Sequence, residues 1–346
     1  MKKSVKFNLA ISSLVLGLGL SCGAIDLSSN IREDYSSTQK VAFEEFDVGC
    51  KSCDKEQHLM NVAAAAANAS SSAYYHLDVN ERLDSKDKDY PGIAFGNING
   101  VRAGFVKKVD IDGQPYIVVS IHGTANWDDF LTDANAILKS NCPFLKNAPV
   151  HRGFYNRYAT FREEMINAVK NCFNTNTKEE NPKILVTGHS LGGALATLAA
   201  LELEQMPQFS NKVRMVTFCS PRVLTSEAQK VASRILPESR YRALRVWRIG
   251  DTIAKVGPGS MGYKHFGESW GVDVAPGEGV KNYADPLAWH SITGMVEEME
   301  NLKNKKSDFK ENVKVNSRFE GLKGAPARVG KALLDSGKYI TSFFWR

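Results

Sequence analysis

The sequence predicts an α/β fold in which a mostly parallel central sheet is covered by helices on both faces. Short apolar runs alternate with helical patterns along most of the chain, which is typical of parallel sheets buried on both faces. The length of 346 residues suits one large α/β domain or two smaller ones. Hydrophobic residues make up 43% and charged residues 24% of the chain. These values are near the globular average, so a disordered chain or a coiled coil is excluded for most of the sequence.

The first predicted elements are a helix and a hairpin. Residues 55–77 are rich in alanine and predict a long helix. Two β-rich runs, 101–109 and 114–122, flank the dipeptide Asp112-Gly113, which is a strong signal for a β-hairpin. The second run is apolar enough to be a central strand.

The remaining elements alternate between strand and helix. The apolar patterns predict a helix at 154–173, a strand at 183–188, a helix at 190–205, a strand at 213–218, a helix near 226–236, a strand at 244–249 and a helix from about 286 to 302.

The N-terminus predicts export. Lys2, Lys3 and Lys6 precede an apolar run that ends in small residues, the order found in secretory signal peptides. Cleavage after Ala24 would give a secreted or periplasmic protein, and acylation of Cys22 as a lipoprotein remains open. We therefore divide the chain into a signal peptide (1–24), a lead-in segment (25–54), a domain (55–302) and a basic tail (303–346).

In an exported chain the cysteines could be paired. Cys50, Cys53, Cys142 and Cys172 could form two disulfides, among them a Cys142–Cys172 bridge. The Cys50-x-x-Cys53 spacing also leaves a redox motif or half of a zinc site open. Cys219 lies in the apolar run VRMVTFCS and is expected to be a buried thiol.

The formal net charge of +6 is distributed unevenly along the chain. Residues 25–302 carry 30 basic and 34 acidic side chains, whereas residues 303–346 carry 11 basic and 4 acidic ones. A slightly acidic domain argues against nucleic-acid binding. The tail could dock on a membrane surface or pack against the domain as a helix, and the sequence supports both interpretations equally.

The string GHSLG places Ser190 at the centre of a GxSxG motif. The motif lies between a predicted buried strand and a helix that begins with small residues, where a tight turn would lift the serine hydroxyl above the sheet edge. Such a serine needs a base and an orienting acid, in the chain order Ser, Asp, His. Asp251 follows a predicted strand, and both His265 and His290 lie downstream. Order and spacing alone leave the choice of histidine open.

Six segments of the chain together resemble the class 3 lipases, which are α/β-hydrolases typified by fungal triacylglycerol lipases. The segments are SIHGTANWDDFLTDA, VHRGFYNRY, VTGHSLGGA, TFCSPRV, RVWRIGDTIAKVGP and YKHFGESW, and the resemblance spans about residues 60–300. It implies an exported serine hydrolase that cleaves lipid esters without a cofactor or a metal. A phospholipase of the same fold, or a non-catalytic protein that binds a membrane or a partner, are the alternatives.

The resemblance also assigns residues. It implies Ser190 as nucleophile, Asp251 as acid and His290 as base, and it places His265 in a structural loop. The backbone N–H groups of Leu191 and Thr124 would form the oxyanion hole. The chain departs from the family pattern at three positions, with His122 in place of arginine, Cys219 in place of glycine and Trp289 in place of the aspartate before the base.

Residues 125–140 lie where the family carries its lid. Trp127, Phe130 and Leu131 alternate there with acidic residues, so the segment is amphipathic. It could be a lid that opens against lipid and contacts the substrate, or an ordinary surface helix with one buried face.

Overall fold

A computed structural model of the chain describes residues 55–75, 92–96, 102–123, 138–175, 181–237, 242–248, 251, 253–257, 259–272 and 290–304. The predicted signal peptide and lead-in segment, Cys22, Cys50, Cys53, Thr124, Trp127, Phe130 and Leu131, and the tail beyond residue 304 lie outside these residues. None of the described helices combines the length and the apolar character needed to cross a membrane.

The described strands and helices are numbered in chain order. The strands are β1 (Gly92–Phe95), β2 (Gly104–Ile111), β3 (Gln114–Ile121), β4 (Lys139–Asn141), β5 (Pro149–His151), β6 (Lys183–His189), β7 (Val213–Phe218), β8 (Leu224–Thr225), β9 (Ala243–Arg248), β10 (Tyr263–Lys264) and β11 (Glu268–Val272). The helices are α1 (Lys55–Tyr75), α2 (Arg152–Ala159), α3 (Arg162–Asn174), α4 (Leu191–Glu204), α5 (Ser226–Ile235) and α6 (Ile292–Asn304).

The central sheet has seven strands in the order β1-β2-β3-β6-β7-β9-β11. The four pairings from β3 to β11 are parallel, whereas β1 and β2 join by antiparallel pairings. The predicted hairpin is confirmed, with Asp112 and Gly113 at φ of 57° and 76° in its turn. The mostly parallel sheet is therefore confirmed as well.

Helices cover both faces of this sheet, and consecutive residues of each strand contribute to opposite faces. Ile184 and Met215 belong to a core shared with α2, α3 and α4. Their neighbours Leu185 and Val216 belong to a second core shared with α1 and α6. The N-terminal helix α1 and the C-terminal helix α6 thus lie together on one face.

A second, smaller sheet was not predicted. Its order is β10-β8-β5-β4, and all of its pairings are antiparallel. Each of its strands is two or three residues long, too short for an alternating pattern to be recognised in a sequence.

The single helix predicted for 154–173 was wrong, because the structure divides it. Helix α2 ends at Ala159 and α3 begins at Arg162. Between them Phe161 is buried, with its ring 5.6 Å from that of Phe95 and 5.7 Å from that of Tyr158. The Thr160 hydroxyl also donates a hydrogen bond to the carbonyl of Arg157 at 2.7 Å, a local bond that competes with helix continuation.

The possible Cys142–Cys172 disulfide is not formed, since both residues are free thiols. Cys142 lies near Glu202 and Arg162, and burial raises the pKa of its thiol to about 12. Cys172 lies on α3 near Lys108. The two thiols thus have different charged neighbours. Cys219 is a buried free thiol, as expected.

Candidate active site

Ser190 occupies a strained turn between β6 and α4. Its φ of 64° and ψ of −131° are rare for a residue with a side chain, and such a conformation costs about 1–3 kcal/mol. The turn is held by a hydrogen bond from the Ser190 amide to the carbonyl of Phe218 at 2.9 Å. The predicted strand–turn–helix setting of the serine is therefore present.

Two glycines allow the close backbone contacts of this turn. A Cβ atom on Gly188 would lie 2.4 Å from the carbonyl oxygen of Gly192. A Cβ atom on Gly192 would lie 2.2 Å from the carbonyl oxygen of Ile121 at the end of β3. Real Cβ atoms do not approach backbone so closely, which explains why the GxSxG spacing requires residues without a Cβ.

The three side chains predicted to act together meet at this edge of the sheet. The Nε2 atom of His290 lies 2.6 Å from Oγ of Ser190, and its Nδ1 atom lies 2.9 Å from Oδ2 of Asp251. A carboxylate only accepts, so Nδ1 carries the ring proton and Nε2 accepts the hydroxyl proton of Ser190. All three residues are buried. The Ser190 hydroxyl thus has a hydrogen-bond acceptor, and the His290 ring has one fixed tautomer.

The backbone orients the carboxyl of Asp251. Its Oδ1 atom accepts hydrogen bonds from the amides of Ile253 at 2.9 Å and Ala254 at 3.5 Å. These bonds leave Oδ2 for His290. The acid therefore holds the imidazole from a position fixed by its own loop.

His189, the residue before Ser190, makes two hydrogen bonds through its ring. Its Nε2 atom lies 2.8 Å from the carbonyl oxygen of His290, and its Nδ1 atom lies 2.8 Å from the hydroxyl of Tyr74. A carbonyl only accepts, so Nε2 carries the proton and Nδ1 accepts from Tyr74. Burial, followed by the nearby ring of His290, lowers the pKa of His189 well below 6.5. His189 is therefore a neutral side chain that links the Tyr74 hydroxyl to the backbone of His290.

Tyr74 is a site residue that sequence reasoning missed. It lies in the last turn of α1, and its hydroxyl also interacts with the side chain of Ser190. Burial raises its pKa above 10, so the hydroxyl stays protonated. The only sequence signal was the aromatic pair that ends an alanine-rich helix, and this pair does not distinguish a site residue from a core residue.

Leu191 and Gly123 border the same turn. Leu191 opens α4, so its amide N–H has no partner within the helix. A Cβ atom on Gly192 would lie 3.0 Å from the amide nitrogen of Gly123, and one on Gly123 would lie 1.9 Å from the Tyr74 hydroxyl. The residue that precedes Thr124 therefore lies beside the nucleophile turn.

The choice between the two downstream histidines follows from position. His290 contacts Ser190, whereas His265 follows β10, and its carbonyl accepts a hydrogen bond from Gln229 at 3.0 Å. Desolvation and the charges of Arg245 and Arg222 lower the pKa of His265 well below 6.5.

The described residues contain one cluster of side chains whose donor atoms could hold a metal. It consists of His189, Cys219 and His290.

Residues 118–261 match the family model described as Lipase (class 3). The matched segment contains Ser190 and Asp251 and ends before His290. A secreted mono- and diacylglycerol lipase from Fusarium solani is 29% identical over 53% of this chain and 52% of its own. A rice phospholipase, phospholipase A1-II 5 of Oryza sativa subsp. japonica, is 27% identical over 58% of this chain and 48% of its own. The chain therefore spans about half the length of these curated relatives.

A solved structure shares the fold. The lipase of Rhizomucor miehei, as a deletion mutant in complex with its propeptide, superposes with a TM-score of 0.50 at 22% sequence identity. The match covers 64% of this chain and 69% of the other. The predicted α/β-hydrolase architecture is confirmed.

Proposed function

We propose that the chain, whose residues 118–261 match the class 3 lipase model, hydrolyses the carboxylic esters of lipids through Ser190, His290 and Asp251. The observation that carries the proposal is the 2.6 Å contact between Ser190 Oγ and His290 Nε2. The 2.9 Å contact between His290 and Asp251 on the other side of the ring supports it.

The reaction proceeds by acyl transfer. Oγ of Ser190 attacks the ester carbonyl while Nε2 of His290 takes its proton, and Asp251 stabilises the imidazolium that forms. His290 then gives this proton to the departing alcohol, which leaves an acyl group on Ser190. A water molecule, deprotonated by the same ring, attacks the acyl-enzyme. The fatty acid leaves, and Ser190 regains its proton.

The tetrahedral oxyanion needs donors that are already in place. The Leu191 amide at the start of α4 is one, and the helix N-terminus favours the developing negative charge. We assign the second donor to Thr124, since the preceding Gly123 lies against the nucleophile turn. Loss of one such donor typically lowers the rate by about 10²–10³.

The test compares Ser190→Ala with the exposed serine variant Ser226→Ala. We expect Ser190→Ala to lose hydrolysis of p-nitrophenyl acyl esters and labelling by a serine-reactive phosphonate, while its circular dichroism spectrum is retained. Ser226→Ala should keep both activities. Full hydrolysis by Ser190→Ala would refute the proposed nucleophile. If the wild-type chain is neither labelled nor active, the non-catalytic alternative is correct.

The head group of the substrate is a separate question. One relative is named a mono- and diacylglycerol lipase and another a phospholipase A1, so a phospholipase is the second candidate. A hydrolysis screen with tri-, di- and monoacylglycerols and with phospholipids of matched acyl chains separates the two. Release of fatty acid from phospholipids alone would favour the second candidate.

We further propose that the lipase domain spans residues 55–302 and is exported after cleavage at Ala24. The described elements run from α1, which begins at Lys55, to α6, which ends at Asn304. The Fusarium relative is named as secreted. N-terminal sequencing of the mature protein should begin at residue 25, and an unprocessed Met1 would contradict export by this route.

The segment around Trp127, Phe130 and Leu131 is proposed as the lid, because it follows Gly123 at the edge of the active site.

The basic tail is proposed as a membrane contact. Deletion of 303–346 should weaken binding to anionic vesicles, and unchanged binding would favour a tail that packs on the domain.

A further inference from the structure

Cys219 places a thiol inside the active site, at a backbone position that favours glycine. It follows β7 directly, and its φ of 50° lies in the left-handed region. Its amide donates to the carbonyl of Val246 at 2.8 Å, which ties it to the neighbouring strand β9. The side chain is completely buried and is a free thiol. The reaction proposed above gives this sulfur no role.

The sulfur lies beside both active-site imidazoles. Sγ of Cys219, one ring nitrogen of His189 and one of His290 all lie within 4.8 Å of one another. In a tetrahedral zinc site, with Zn–S about 2.3 Å and Zn–N about 2.0–2.1 Å, such donors are about 3.4–3.6 Å apart. The donors therefore need to approach by about 1.4 Å at most, a movement within reach of side-chain rotation.

We propose that His189, Cys219 and His290 form an inhibitory site for a borderline-soft divalent cation such as Zn²⁺. One thiolate and two imidazoles form a donor set that suits Zn²⁺ and its spectroscopic substitute Co²⁺. The inhibition rests on the proposed hydrolase function, whereas the binding of the cation does not. The sequence contains no metal-ligand spacing for these residues, because three separate segments bring them together.

Binding and catalysis require the same atoms of His290. If the cation takes Nε2, the lone pair that accepts the Ser190 proton is lost. If it takes Nδ1, the hydrogen bond to Asp251 is lost. His189 likewise gives up one of its two hydrogen bonds, and the Cys219 thiol releases its proton to the buffer, as metal-bound thiols do. The bound cation therefore disables the base.

The charges around the sulfur act in both directions. The carboxyl of Asp251 interacts with the Cys219 side chain and attracts a cation. Burial, followed by the charge of Asp251, raises the pKa of the Cys219 thiol well above 9 and opposes the thiolate, whereas the buried guanidinium of Arg248 favours the thiolate but repels the cation. The site should therefore bind Zn²⁺ reversibly, and EDTA should restore hydrolysis.

The experiment uses the full chain carrying Cys50→Ser and Cys53→Ser, so that the Cys-x-x-Cys pair cannot bind metal. Zn²⁺ is titrated against ester hydrolysis, and Co²⁺ binding is followed by the near-ultraviolet charge-transfer band of a cobalt thiolate. Cys219→Gly is compared with Cys172→Ser, which removes the free thiol of α3 instead. Each variant is referred to its own rate without metal.

We expect the background protein and Cys172→Ser to be inhibited by Zn²⁺ and to show the cobalt band. Loss of a partner that only orients a ligand costs about 10–100-fold in metal affinity, so Cys219→Gly should raise the half-inhibiting Zn²⁺ concentration at least about 10-fold and lose the band. If Cys219→Gly does not fold, Cys219→Ser serves instead, because its hydroxyl gives no thiolate band. A band or an inhibition that persists without Cys219, or a background protein without a band, overturns the proposal.

Discussion

The Nε2–H group of His189 donates a hydrogen bond to the main-chain carbonyl of His290, 2.8 Å away. The residue before the proposed nucleophile thus holds the backbone of the proposed base, and the two rings lie 4.6 Å apart. Tyr74 donates to the other ring nitrogen of His189. We therefore expect the contacts of His290 with Ser190 and Asp251 to depend on the side chain of His189.

Replacement of His189 should slow the reaction without removing it. His189→Leu removes both hydrogen bonds, whereas His189→Gln keeps an amide that can donate to the His290 carbonyl. Because small misplacements of a catalytic group cost up to about 10²-fold, we expect kcat to fall by about 10-fold or more in the leucine variant and by less in the glutamine variant, with KM nearly unchanged. Equal kcat values for both variants would show that the hydrogen bond does not position His290.

The same histidine should make stability depend on pH. Burial lowers the pKa of His189 well below 6.5 in the folded protein. Below pH 6.5 this side chain therefore binds a proton in the unfolded chain but stays neutral in the folded protein. The free energy of unfolding is therefore undiminished above pH 6.5 and falls below it, by about 1.4 kcal/mol per pH unit for this group. Urea unfolding between about pH 7.5 and about pH 5.5 should show a smaller slope for His189→Gln than for wild type, and identical slopes would contradict the prediction.

The two downstream histidines should differ in function. His290→Ala removes the acceptor for the Ser190 proton and should lower kcat/KM by at least about 10³. His265→Ala should keep most of the rate, because its ring belongs to the loop after β10 and not to the Ser190 contact. Steady-state hydrolysis of a soluble ester measures both. The assignment fails if His265→Ala is the inactive variant.

The strain at Ser190 should appear as a gain in stability when it is relieved. Glycine adopts a φ of 64° without penalty, whereas alanine retains the conflict. We expect the free energy of unfolding of Ser190→Gly to be about 1 kcal/mol higher than that of Ser190→Ala. Both variants should be inactive. Thermal or urea unfolding of the two proteins provides the comparison, and a less stable glycine variant would mean that the turn is not strained.

Gly192 should tolerate no side chain. Its Cβ atom would meet the carbonyl of Ile121 at 2.2 Å, so Gly192→Ala must displace the end of β3 or the start of α4. Such overpacking costs typically about 1–3 kcal/mol. Gly259→Ala is the matched control, because nothing lies within 4 Å of its Cβ, and its unfolding free energy should change by less than about 0.5 kcal/mol. Similar losses in both variants would argue against the close contact.

The sequence predicted the elements around Ser190 well because each carries a local pattern. The strand before Ser190 contains the apolar run 184–186, the helix after it begins with small residues, and the hairpin at Asp112-Gly113 has a turn with its own backbone requirement. Such patterns depend on a few neighbouring residues. The short strands of the second sheet depend instead on distant partners, for example β5 on β8.

The site was predictable where residue order restricts the choice. Ser190 and Asp251 follow from motif and position, but the choice of His290 over His265 required the family resemblance. Tyr74 and the second hydrogen bond of His189 were not predictable, because both arise from the packing of α1 against the end of β6. The division of the predicted helix at Phe161 was missed for a related reason. A helical pattern in the sequence does not show that this ring packs against Phe95 and Tyr158.

Helix α1 carries none of the triad residues, yet it supports the region of His290, the triad residue that lies outside the family match. His290 lies just before α6, whose apolar residues share a core with α1. Asn68 and Gln57 bind Glu300 and the carbonyl of Lys303 at 2.7 and 2.9 Å. An expression fragment cut to the boundaries of the matched segment would omit α1, His290 and α6. A fragment that added only the C-terminal part would keep His290 but leave the following helix α6 without its partner α1. We therefore expect a fragment that keeps the proposed triad geometry to include helix α1 as well as α6.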